Sequence, residues 1–287
     1  MVRGRILHGN PGVSAADGTA GRRIVRAEDV RALIAILIVL GGTISIIFWS
    51  GPLVDRFFSP AWLDVPMRVL MILMALAGAV LLRQPMTAGA RPASLVLTAL
   101  PVGCFGVAAA IALEWLGGFV APGAAGGVAA AGPFLLGSLI FLVRVGSEEV
   151  LLRGLLQPVL ARAWGPAAGI MVSAGVFTLI HVAGGWRDPV SLTNITLAGI
   201  WFGLLAYRTG GILAPTLAHF GWNWTEEMLF GATPNPGIGA FGSAIDVDLV
   251  GPAIWGGSVD GLNASLVTCL VLALIILPLV WRGKARR

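Results

Sequence analysis

Glu148, Glu149 and Arg153 lie inside a long apolar stretch, with Pro133 to Ile140 before the glutamates and Leu151 to Leu160 after them. An ionised side chain near the middle of a bilayer costs roughly 2.5–3.5 kcal/mol on insertion scales, so such charges must be paired or hydrated. On a helix, Glu149 and Arg153 stand four residues apart and share a face. Glu148 is turned about 100° away from Glu149. Arg153 can thus neutralise Glu149 and leave Glu148 pointing elsewhere. Arg144, four residues before Glu148, is a second candidate partner for it. His181 and His219 lie in other apolar runs, and Asn223 follows His219 by four residues on the same face. A carboxylate, two imidazoles and a carboxamide are parts for activating water and stabilising an oxyanion. The plain alternative is an ion-pair ladder that only pins helices.

These residues need helices in a membrane to hold them. The chain of 287 residues is 57% hydrophobic and 11% charged. Its mean hydropathy is +0.89. That composition implies an all-α, polytopic membrane bundle and excludes a soluble domain. The net charge of +5 does not point to nucleic acid, because the basic residues cluster in tails and short connections. Cys104 and Cys269 both lie in apolar runs and offer neither a disulfide framework nor a zinc spacing. Residues 1–28 read as a flexible tail and not as a signal peptide.

Eight apolar segments follow: 32–49, 67–82, 94–113, 133–163, 166–183, 190–207, 212–230 and 262–281. The first three form an N-terminal group over 29–130, and the charged motif opens a core over 131–230. A connection over 231–261 and a last helix with a basic tail over 262–287 complete the chain. Trp49, Trp62, Trp115, Trp164, Trp186 and Trp281 fall at segment ends, as an interfacial belt would have them. With both termini in the cytoplasm, fourteen Lys and Arg lie inside, and only Arg56, Arg68 and Arg187 outside. That asymmetry obeys the positive-inside rule. The outer connection is acidic, with Glu226, Glu227, Asp246, Asp248 and Asp260, and can serve as a plain loop or a lid. Glu148 and His181 both compute to about 22 Å from the cytoplasmic side at 1.5 Å per residue, whereas His219 computes to about 11 Å.

Three spaced motifs occur in order on successive core segments: Glu-Glu-x-x-x-Arg (Glu148, Glu149, Arg153), Phe-x-x-x-His (Phe177, His181) and His-x-x-x-Asn (His219, Asn223). In these the chain resembles the CPBP family, the CAAX proteases and bacteriocin-processing enzymes, also called the Abi family. Its eukaryotic relatives are the type II CAAX prenyl endopeptidases. The resemblance covers about 133–230. It implies an intramembrane endopeptidase in which Glu148 is the general base and His181 helps it activate water. His219 and Asn223 would form the oxyanion hole, and Glu149 with Arg153 would orient the site. It implies no cofactor and a membrane-associated peptide or protein substrate, whether prenylated or a leader peptide. The composition suggests a bacterial inner (plasma) membrane.

Two other readings stay open. Glu148, His181 and His219 could instead ligate zinc in a metal-dependent protease. Intramembrane Glu, Arg and His also build transport pathways, and the fold could serve as a scaffold without turnover.

Overall fold

A computed structural model describes residues 26–284 except 55, 58–59, 124–129 and 235–240. The expectation of a flexible tail falls almost wholly outside the described residues. The described chain is a helical bundle with one small two-stranded sheet. Helix α1 spans Ala27–Trp49, α2 Pro60–Leu81 and α3 Ala93–Leu116. Helix α4 runs over 131–164 as Ala131–Glu149, a π-helical stretch Val150–Leu156 and Gln157–Trp164. Helix α5 spans Pro166–Ala183 and α6 Pro189–Thr209. Helix α7 spans Leu213–Trp224 and continues as a π turn, Thr225–Leu229. Helix α8 spans Leu266–Lys284. Four of these, α1, α3, α5 and α6, are long and apolar enough to cross a bilayer by themselves. The all-α membrane bundle is the fold the sequence implies.

Local sequence explains the breaks. Pro166 and Pro189 sit in the first turns of α5 and α6, where a missing N–H costs nothing. Asp188 caps α6 through the amides of Val190 and Ser191, each 2.9 Å from Oδ1. Gly210 ends α6 in the left-handed conformation, φ 75°.

Two apolar cores hold the bundle. One joins α1, α2, the π stretch of α4 and α5 through Ala35, Val39, Ala75, Leu151, Leu155 and Val176. The other joins α3, α6, α7 and α8 through Val107, Trp201, Phe202, Ala218, Trp222 and Leu272. Within the second, α3 and α7 meet backbone to backbone. A Cβ at Gly103 would lie 2.3 Å from the Ala218 carbonyl oxygen, and one at Gly221 2.6 Å from that of Leu100.

The connection after α7 is folded where it is described. Strand β1, Val120–Pro122, pairs antiparallel with β2, Val247–Leu249. Phe119 stacks on Trp255 at 5.5 Å. Ser191 donates to Asp260 at 2.8 Å, and the Asn194 amide donates to the carbonyls of Asn263 and Ser265.

Three placements differ from the sequence expectation. Helix α2 starts about two turns before Met67, so Arg68, counted above with the outer cations, lies well inside the helix. Glu226 and Glu227 belong to the buried π turn after α7 rather than to the outer loop. The stretch Gly261–Ala264 is a separate 3₁₀ turn ahead of α8.

Candidate active site

Helix α4 presents the two glutamates to opposite surroundings. Glu149 is the last residue before the π-helical stretch, a distortion common at functional sites. Its side chain is fully buried, and Arg153 Nη1 donates to Oε1 at 3.1 Å. The Arg153 Nη2 donates to the Gly199 carbonyl at 2.9 Å, tying α4 to α6. The guanidinium lies between two aromatic faces, 5.3 Å from the Phe177 ring centre and 5.5 Å from that of Phe202. So large a desolvation is tolerable only because the charge is paired, hydrogen-bonded and stacked.

Glu149 also reaches α7. The His219 Nδ1 lies 2.9 Å from Glu149 Oε1, and since a carboxylate accepts, Nδ1 carries the hydrogen. Phe202 stacks on the His219 ring at 4.5 Å. The ring is thereby fixed from behind, and its Nε2 faces Glu148 Oε2 at 3.9 Å. That gap exceeds a hydrogen bond and is short enough for one oxygen to touch both groups.

The second histidine is fixed in the same manner. His181 Nδ1 lies 2.9 Å from the Phe177 carbonyl one turn back. A carbonyl can only accept, so Nδ1 donates, and in the neutral ring Nε2 keeps its lone pair. Phe177 packs edge-on against this imidazole at 4.4 Å.

Glu148, His181, His219 and Asn223 all line one cleft of about 710 Å³, its open mouth included. The expected site residues thus converge from α4, α5 and α7. Glu149 and Arg153 lie behind them and not on the cleft wall. The 11 Å depth computed for His219 did not keep it from the others.

The structure adds residues that the motifs do not contain. Arg68 of α2 donates through Nη1 to Glu148 Oε1 at 2.6 Å. Arg144, a candidate partner of Glu148, forms an ion pair with Glu227 at 3.5 Å. Glu226, Glu227, Asn194 and Asn263 share the cleft. Trp186, expected in the interfacial belt, lines the cleft and faces His181 at 6.1 Å. The one legible signal for Arg68 was a cation at the edge of an apolar segment, and positive-inside counting assigned it to the outer loop. Among the described residues, no group of three His, Cys, Asp or Glu side chains has the arrangement of a metal site.

Residues 130–225 match the family model of the type II CAAX prenyl endopeptidase Rce1-like proteins. Over these residues the chain is similar to that family. The match spans about a third of the chain, from the start of α4 to the end of α7, and contains all three motifs. With the long apolar helices it fits an integral membrane protein, and the matched segment is similar to a CAAX-type intramembrane protease. Neither a curated protein nor a solved structure matches the chain.

Proposed function

We propose that the protein hydrolyses peptide bonds within the membrane by direct attack of water, with Glu148 as general base. The observation that carries this is the convergence of Glu148, His181, His219 and Asn223 on one cleft from three helices. A water between Glu148 and His181 Nε2 would give its two hydrogens to two acceptors. Its oxygen lone pairs would then be free to attack a carbonyl. The proton goes to Glu148 and from there to the leaving amine. Asn223 and Nε2 of His219 donate to the developing oxyanion. That role requires a hydrogen on Nε2 of His219 while Nδ1 donates to Glu149 behind. Glu149 and Arg153 act through His219 as positioning residues.

The substrate would be a membrane-associated peptide: a prenylated C-terminus, as the family description suggests, a leader peptide or a membrane-protein segment. The fourteen inner cations support cytoplasmic termini. With Arg68 drawn into the site, only Arg56 and Arg187 of the expected outer cations remain, which strengthens that asymmetry.

The test is cleavage of a quenched peptide panel by detergent-purified protein, with a farnesylated CAAX reporter among its members. Wild type runs beside Glu148→Ala, each with and without chelator. Cleavage that is lost in the variant and indifferent to chelator is expected. An active Glu148→Ala enzyme sinks the base assignment. Chelator-sensitive cleavage with stoichiometric zinc would replace it by metal-activated water at Glu148, His181 and His219.

A further inference from the structure

We propose that Arg68 is a positioning residue for Glu148, supplied by a helix outside the segment similar to that family. This rests on the assignment of Glu148 as the base. A glutamate has several rotatable bonds and two equivalent oxygens, so a working base needs one oxygen aimed at the water and the other held. Arg68 Nη1 holds Oε1 at 2.6 Å, the short distance of a charge-assisted bond. Oε2 is left facing His219 Nε2 across 3.9 Å. The two side chains are similarly shielded, 16% and 15% exposed, so solvent screens the contact less than it would a surface pair.

The position of Arg68 gives the contact a further consequence. Arg68 and Glu148 both line a second cavity of about 720 Å³, more apolar than the first. Its walls come from α1, α2, α4 and α5, through Ile46, Met71, Leu151 and Ile180. Glu148 and His181 line both cavities, so the base sits where the polar cleft meets the apolar one. The seat of α2 therefore sets the aim of a carboxylate on α4. The family match begins at residue 130 and does not contain α2. The N-terminal helices thus contribute to the chemistry as well as to packing.

The experiment uses full-length protein and a farnesylated CAAX reporter carrying a fluorophore and quencher. Wild type, Arg68→Ala, Arg68→Lys and Glu148→Gln are compared for kcat and KM. Arg68→Ala should lower kcat about 100-fold, the scale of a 1 Å misplacement of a reacting group, with KM changed less than about twofold. Arg68→Lys should recover part of the rate, because an ammonium keeps the charge but not the fork. Thermal unfolding of Arg68→Ala, Glu148→Gln and the double variant should be non-additive, reporting the pair without reference to turnover. Additive unfolding shifts, an unchanged or raised kcat in Arg68→Ala, or a loss confined to KM would each overturn the inference. Glu148→Gln at full activity would remove the base assignment and this inference with it. Inactive Glu148→Gln beside fully active Arg68→Ala would remove this inference alone.

Discussion

Glu148 and Glu149 are neighbours in the chain and face two unlike regions. Behind Glu149 lies a sealed cluster: Arg153, His219, the Gly199 carbonyl and the faces of Phe177 and Phe202. In front of Glu148 lies an open cleft whose charged side chains come from α4 and from α7 with its π turn, while Arg68 of α2 reaches Glu148 from the second cavity. The sealed side has one arrangement, because a buried guanidinium and carboxylate leave little freedom without losing several kcal/mol. The open side can exchange partners, because solvent or substrate can replace a bond that is given up. Adjacent residues of one type can therefore divide the work, one fixing an imidazole and the other meeting the substrate.

The comparison can be broken most sharply on the sealed side. Arg153→Met should destabilise the protein by about 3–5 kcal/mol, since it leaves Glu149 buried without its counter-charge. Thermal unfolding in detergent reads this, and a variant as stable as wild type would show that the cluster does not depend on the pair. On the open side the balance reverses. Asn223→Ala should lower kcat by about 10²–10³ with little change in unfolding temperature. A variant altered only in KM would remove the oxyanion role.

Between the two sides stands the seat of α7 itself. Gly103→Val would drive a side chain into the Ala218 carbonyl, one residue before His219. Overpacking of this kind costs about 1–3 kcal/mol. A fall in both unfolding temperature and kcat is expected, because the same helix carries His219 and Asn223. An unfolding shift without loss of kcat would uncouple the helix seat from the chemistry. The smallest effect belongs to the folded connection. Ser191→Ala removes the bond to Asp260 and should cost about 1 kcal/mol. If cleavage fell much further than stability, the connection would be acting on the cleft rather than merely packing beside it.

Much of this was legible before the fold. Hydropathy marked eight helical segments, because apolar length is what a bilayer requires. The four-residue spacing of Glu149 and Arg153 foretold their ion pair, because helical neighbours meet whatever packs around them. The spacing of Phe177 and His181 foretold an aromatic contact in the same way. Less legible was the role of each charge at a helix end. Arg68 and Trp186 sit at the edges of apolar segments, where counting rules assign them to loops and interfaces, and both face the site.

The sequence by itself determined the membrane class, the core motifs and the pairings within a helix, because those depend only on local period and composition. Tertiary structure decided which carboxylate oxygen faces which helix. It put Arg68 on Glu148, Glu227 on Arg144 and His219 on Glu149. The residues of each pair are separated by 80, 83 and 70 positions, and no local rule encodes a contact at that distance along the chain. The reason is physical: helix packing, not helix period, sets which faces meet, and a buried charge takes the partner that packing brings to it.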